Sequence, residues 1–96
     1  MRRAAKTDAN QDQIVSAFRA AGAYVQSLAA VGKGVPDLLV GYKGQTYLVE
    51  VKDGNKPPSQ RKLTEDQIKW HNDWTGGSLS VIESPEQALK LIGAIK

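Results

Sequence analysis

Residues 36–52 decide the fold of this chain, and they read Pro-Asp-Leu-Leu-Val-Gly-Tyr-Lys-Gly-Gln-Thr-Tyr-Leu-Val-Glu-Val-Lys. Two runs rich in Val, Leu and Tyr flank Lys43-Gly44. A short Gly-containing dipeptide between two such runs predicts a β-hairpin. With Lys43-Gly44 as the turn, Tyr42 lies opposite Gln45, and this pairing sets the register of both strands.

The predicted register gathers three charged side chains at one end of the hairpin. Asp37 lies directly across from Glu50, and opposed side chains have their β-carbons roughly 4.5–5.5 Å apart. Lys52 follows Glu50 by two positions and therefore projects from the same face. The rest of both faces is largely apolar, which predicts central strands covered on two sides. Charged groups in such a place are costly unless they are paired or bind a metal.

The residues alone leave two interpretations of this cluster open. Lys52 could form a local salt bridge with Glu50 or Asp37, since structural ion pairs are common. Alternatively, the two carboxylates could hold a hard divalent cation such as Mg²⁺, which prefers oxygen ligands. The lysine would then orient a water molecule and offset charge that develops on a phosphate.

The wider sequence resembles a known family. Pro36-Asp37, separated by twelve residues from Glu50-Val51-Lys52, is similar to the motif of the PD-(D/E)-x-K nuclease superfamily. The preceding Gly32-Lys33-Gly34 and the later Leu63-Thr64-Glu65-Asp66-Gln67 narrow the resemblance to the small, phage-type VRR-NUC nucleases. Their relatives include Holliday-junction resolvases. The resemblance extends over most of the chain and favours the metal site over the salt bridge.

The resemblance implies a metal-dependent DNA endonuclease that acts on branched DNA, such as a four-way junction, and leaves a 5′-phosphate. Mg²⁺ or Mn²⁺ would be held by Asp37, Glu50 and the backbone carbonyl of Val51. Lys52 and Gln67 would complete the catalytic residues, with Gln67 beside the lysine. A four-way junction favours a symmetric homodimer with two sites. The resemblance also implies a phage- or prophage-encoded protein in the bacterial cytoplasm.

The first helix departs from the family pattern. Asp8 is predicted to cap it, and Gly22 is predicted to end it. Related nucleases place a glutamate on this helix that points at the metal, but this chain has none there. Gln13 is the first choice for the corresponding position, and Asp12 is the second. A neutral amide at this place would weaken one metal position.

Five basic residues are candidates for contact with a phosphate backbone, because they lie in loops or on a helix near the predicted site. A solvated, charge-rich surface is the alternative interpretation. These residues are Lys33, Lys56, Arg61, Lys62 and Lys69.

The helix after the basic loop carries a glutamine with two interpretations. Thr64 and Gln67 have the spacing of a capping box. Gln67 also shares an apolar stripe with Trp70 and Trp74, so it could instead face the active site. The two tryptophans are predicted to lie in the core rather than to stack on bases. His71 is predicted to be exposed, and no catalytic role is expected for it.

The remaining elements complete an α+β sandwich in the order αβββαβα, which is a restriction-endonuclease-like core with a closing C-terminal helix and a mixed sheet. Strands are predicted at residues 24–28 and 79–82, and the last helix follows Ser84-Pro85. A basic arm at residues 1–7 precedes a single nuclease domain at residues 8–96.

Composition permits this function without requiring it. The net charge of +3 is compatible with nucleic-acid binding, and the absence of cysteine excludes disulfides and thiolate zinc sites. No run approaches the ~18 apolar residues of a membrane span. Two other functions stay open: a nucleic-acid-binding module that has lost catalysis, and a phage scaffold protein that binds no metal. RNA also stays open as a substrate.

Overall fold

A computed structural model describes residues 9–96 of the chain, and the predicted basic arm and Asp8 lie outside this range. The elements are α1 (Gln11–Ala20), β1 (Tyr24–Ser27), β2 (Leu38–Tyr42), β3 (Gln45–Val51), α2 (Glu65–Asp73), β4 (Leu79–Ile82) and α3 (Pro85–Leu91). A short 3₁₀ turn at Pro58–Gln60 precedes α2. The order αβββαβα is therefore confirmed. In the described part of the chain, no helix has the length and apolar character needed to cross a bilayer.

The four strands form one mixed sheet in the order β1-β2-β3-β4. β2 pairs antiparallel with both β1 and β3, whereas β3 and β4 are parallel. Tyr42 pairs with Gln45 and Leu38 with Val49, so the predicted hairpin register is correct. Lys43 and Gly44 have φ values of 49° and 80°, which is typical of the two-residue turns that match the twist of a hairpin.

One face of the sheet and the helices α1 and α3 enclose the hydrophobic core. Alternate strand residues point into it, as the period of two requires. Burial of these side chains is the main favourable term in the folding of a domain of this size. The core residues include Ile14, Phe18, Val25, Leu38, Val40, Val49, Val51, Ile82, Ala88 and Ile92.

The opposite face of the sheet is covered at one end only, so the prediction that both hairpin strands are covered on two sides holds at Leu48 and Glu50 but fails at Leu39. Tyr24, Leu39 and Val81 are 73%, 37% and 43% exposed there. The reason is that α2 is a single helix of nine residues. It lies over the end of β3, where Glu50 is buried.

Asn10 joins the start of α1 to the ends of two parallel strands. Its side-chain amide donates hydrogen bonds to the carbonyl oxygens of Lys52 and Glu83 at 3.0 and 2.8 Å. Asn10 occupies the N-cap position, but its Oδ1 atom makes no capping bond to its own helix. α1 begins at Gln11, which corrects the predicted start at Asp8.

Candidate active site

Asp37 lies at the point where the β2–β3 ladder ends. Its Oδ2 atom accepts a hydrogen bond from the backbone N–H of Val51 at 2.7 Å. The N–H groups of Leu48 and Lys52 donate to carbonyls on the β4 side, so the N–H of Val51 between them faces β2. Because the N–H and C=O of one strand residue face the same neighbour, the Val51 carbonyl also points to the side on which Asp37 lies.

Gln67 links the two charged residues at the end of β3. Glu50 and Lys52 are only 1% and 8% exposed. The Nζ atom of Lys52 donates a hydrogen bond to Oε1 of Gln67 at 2.8 Å. The Nε2 atom of Gln67 donates to Oε2 of Glu50 at 3.0 Å. One side-chain amide of α2 therefore holds the carboxylate and the ammonium in a fixed relation.

The same glutamine also caps its own helix. Oε1 of Gln67 accepts from the backbone N–H of Thr64 at 2.9 Å, and Oγ1 of Thr64 accepts from the backbone N–H of Gln67 at 3.2 Å. An amide oxygen has two lone pairs and can accept from Thr64 and Lys52 together. The capping interpretation of Gln67 is thus confirmed, and the same side chain also contacts Lys52 and Glu50.

His71 lies against Glu50 in the candidate site, although the sequence predicted an exposed residue. It is half-buried rather than exposed, and its Nε2 atom lies 3.8 Å from Oε1 of Glu50. Burial lowers the pKa of His71, and the positive charge of Lys52 lowers this pKa further. The signal was present in the spacing, because His71 lies one turn after Gln67 and shares its helix face.

The amide that α1 turns inward is Gln11, not Gln13. Gln13 is exposed and lines a separate groove beside Asn55. Gln11 is 8% exposed, because it lies three residues before the core residue Ile14 and on the same helix face. Its Oε1 atom is buried and has no hydrogen-bond partner within residues 9–96. Asp12 is exposed.

The five predicted phosphate-binding residues occupy different environments. Arg61 forms an ion pair with Glu83 at 3.2 Å, and Lys69 forms one with Asp73 at 2.9 Å. The hydrogen bond to Asp73 raises the pKa of Lys69. The other three residues are exposed or half-buried: Lys33, Lys62 and Lys56.

The two tryptophans lie outside the core, so the prediction of burial is wrong. Their rings stack at a centroid distance of 5.1 Å with an interplanar angle of 15°. Trp74 is 38% exposed, and its Nε1 atom donates to the carbonyl of Gly77 at 2.9 Å. α2 directs Gln67 and His71 at the sheet, which leaves the tryptophans on its flank.

The donor atoms at the end of the hairpin fit a hard divalent cation. The carboxylates of Asp37 and Glu50 and the carbonyl of Val51 offer oxygen only, and Mg²⁺ commonly takes one or two carboxylates and keeps several waters. Each carboxylate also has lone pairs beyond those used in the hydrogen bonds described above. Within residues 9–96, no three His, Cys, Asp or Glu side chains form a metal-binding group by themselves.

Comparison with known proteins identifies one similar structure. A solved structure described as a VRR_NUC domain has 33% sequence identity and a TM-score of 0.64. The similarity covers 90% of this chain and 92% of that chain. No family model matches the chain, and no curated protein does.

Proposed function

This chain belongs to the VRR_NUC family, and we propose that it is a divalent-metal-dependent nuclease that hydrolyses phosphodiester bonds in DNA. The observation that carries this proposal is the amide of Gln67, which hydrogen-bonds both Lys52 and Glu50. A local salt bridge needs no such third residue. A lysine that must point at a substrate does, because its flexible stem otherwise samples many rotamers.

Asp37, Glu50 and the carbonyl of Val51 would hold Mg²⁺ or Mn²⁺. The bound ion would lower the pKa of a water molecule and attract the phosphate. An ammonium group has three N–H donors, and Gln67 engages one donor of Lys52. The others can donate to the attacking water or to a phosphate oxygen, where a positioned donor stabilises developing charge.

The substrate that we propose is branched DNA, and a symmetric dimer would present two sites to a four-way junction. A 5′-phosphate on the product and membership of the PD-(D/E)-x-K superfamily are parts of the same proposal. Lys33 and Lys62 are exposed and are the residues that we propose for contact with the phosphate backbone.

Cleavage assays with supercoiled, linear and four-way-junction DNA test this function. Asp37→Asn keeps an oxygen acceptor for the N–H of Val51 but removes the charge, and Lys52→Met keeps the apolar stem. We expect Mg²⁺ or Mn²⁺ to support cleavage by the wild type. Each variant should lose at least about 100-fold in rate while it remains folded at the assay temperature.

Cleavage that persists in both variants would overturn the proposed site. Metal-independent binding without cleavage of any substrate would support the second candidate, a binding module without catalysis. The observation in favour of that candidate is the neutral Gln11 at the inward position of α1.

A further inference from the structure

Trp70 and Trp74 form a fixed aromatic surface, here called the tryptophan platform. The turn after α2 packs closely against the ring of Trp74. A Cβ atom at Gly76 would overlap the indole of Trp74, so only glycine allows this close approach. The hydrogen bond from Nε1 of Trp74 to Gly77 sets the orientation of the ring. A partly exposed ring held this firmly is pre-organised for a ligand, because little conformational entropy remains to be lost on binding.

Lys33, a lysine in an unusual backbone conformation, lines the same groove as the tryptophan platform. Lys33 has a φ of 56° and lies between Gly32 and Gly34, whose φ values are 71° and 83°. A Cβ atom at Gly34 would overlap the backbone carbonyl of Asp66, so this loop is packed closely against α2. Positive φ at a residue other than glycine is uncommon.

The composition of the groove favours a neutral planar ligand. Its volume is about 610 Å³, within the range of small-molecule sites. Two cations are balanced by two carboxylates, and Lys69 is already paired with Asp73. A site for phosphate alone would carry excess positive charge. The lining residues are Lys33, Asp66, Lys69, Trp70, Asp73 and Trp74.

We propose that the tryptophan platform binds an unpaired nucleobase of the DNA substrate. Every base presents a π-face that can stack on an indole ring. The carboxylate of Asp66 can accept hydrogen bonds from the N–H groups at the base edge, and Lys33 can contact the adjoining phosphate. This inference rests on the proposed function, because it takes DNA as the ligand.

The position of the platform relates it to cleavage. Trp70 follows Gln67 by three residues, so the two lie within one turn of the same helix, about 4.5 Å apart along its axis. Bases inside a duplex are stacked on one another and cannot reach the platform. The substrate class is therefore DNA with unpaired nucleotides beside the cut, as in a flap, a fork or an opened junction.

The tryptophan fluorescence of the protein tests the inference directly, because the chain contains only two tryptophans and both belong to the platform. EDTA prevents cleavage during the titration. We expect a short oligothymidylate strand to quench the fluorescence saturably. A strand of abasic sugar-phosphate units of equal length and a blunt duplex should quench much less. Equal quenching by the abasic strand would overturn the proposal, because it would mean phosphate contact alone.

Substitution variants measure how much stacking on the indole ring contributes to binding of the base. Trp70→Ala should weaken binding of the labelled oligothymidylate by about tenfold, and Trp70→Phe should recover part of this loss. Tyr24→Ala is the matched control, since Tyr24 is a 73% exposed aromatic residue outside the groove. The affinity of this variant for the oligothymidylate should equal that of the wild type. Unchanged affinity in Trp70→Ala overturns the proposal, and a simultaneous change from dimer to monomer would assign the platform to a second copy of the chain.

The two proposals fail in distinguishable ways. If single strands quench the fluorescence but no substrate is cleaved in a metal-dependent way, the proposed nuclease activity is refuted and base binding by the platform is supported. If the wild type cleaves flaps and blunt duplex at equal rates and shows no quenching, base binding by the platform is refuted and the nuclease activity is supported.

Discussion

The side-chain oxygen of Gln67 accepts a hydrogen bond from the ammonium group of Lys52 at 2.8 Å. The same oxygen accepts from the backbone N–H of Thr64, so one amide both starts α2 and positions the lysine. Substitution of Gln67 by alanine removes both interactions together, and also the hydrogen bond to Glu50. Thr64→Ala removes only the hydroxyl contribution to the cap, and the two variants therefore separate the roles.

We predict that Gln67→Ala lowers kcat for DNA cleavage by about 100-fold, because a small misplacement of a positioned group has this effect. Thr64→Ala should lower the free energy of unfolding by about 1 kcal/mol and leave kcat within a few-fold of the wild type. Steady-state cleavage rates and urea unfolding of both variants provide the comparison. Equal losses of activity in the two variants would contradict a positioning role for Gln67.

His71 should titrate below its usual pKa of about 6.5, because burial and the charge of Lys52 both disfavour the imidazolium. It is the only histidine in the chain, so NMR shows a single imidazole. In metal-free protein, Lys52→Met should raise this pKa part of the way back, since burial is the larger cause. Lys69→Met, on the same helix but paired with Asp73, serves as the control. An equal rise in both variants would show a general charge effect.

The lowered pKa of His71 also predicts how stability depends on pH. Between the folded-state pKa and about 6.5, the unfolded chain binds more protons at His71 than the folded chain does. This residue therefore makes the free energy of unfolding fall as the pH drops below about 6.5. Urea unfolding of metal-free wild type and His71→Asn from neutral to mildly acidic pH measures the effect. Over this pH range, the free energy of unfolding should fall less for His71→Asn than for the wild type. Equal dependence of the two free energies on pH would refute the prediction.

Gln11→Glu should restore a charge at the inward position of α1. Without metal, the buried carboxylate should destabilise the protein. Mn²⁺ should offset this loss, so that its thermal shift exceeds that of the wild type. Gln13 is exposed on the same helix, so Gln13→Glu should change neither the stability of the metal-free protein nor the thermal shift with Mn²⁺. Equal destabilisation of Gln11→Glu with and without Mn²⁺ would show that this position does not reach the ion.

The basic residues should divide into two groups in DNA binding. Lys62→Ala should reduce the slope of log affinity against log salt by about one, as expected for a single phosphate contact. Arg61→Ala should leave the slope unchanged but destabilise the protein by about 1 kcal/mol, because Arg61 is paired with Glu83. Salt titrations by fluorescence anisotropy distinguish the two. A reduced slope in Arg61→Ala would mean that DNA displaces Glu83.

The hairpin could be predicted in full because its determinants are local. Turn chemistry at Lys43-Gly44 sets the register, and β-sheet geometry then places Asp37 opposite the end of β3. The capping box at Thr64 was likewise local. These features depend on a few neighbouring residues and on the regular geometry of strands and helix caps.

The errors concern residues whose environment depends on tertiary packing. Asn10 bonds to strand ends distant in sequence, which moved the start of α1 and turned Gln11 inward instead of Gln13. The burial of His71 and the exposure of Trp74 depend on how α2 rotates over the sheet. An apolar stripe alone does not determine that rotation, because polar bonds from Gln67 compete with burial of the indoles.

The amide of Asn10, bonded to the carbonyls that end β3 and β4, has a practical consequence for attaching labels and supports. The chain enters the described fold at the end of the sheet that carries Glu50 and Lys52. Ala94 and Ile95, near the other terminus, lie beside Tyr42 at the turn end of the hairpin. A fluorophore, affinity tag or surface tether therefore belongs at the C-terminus, since the first described residues lie at the end of the sheet that carries the candidate site.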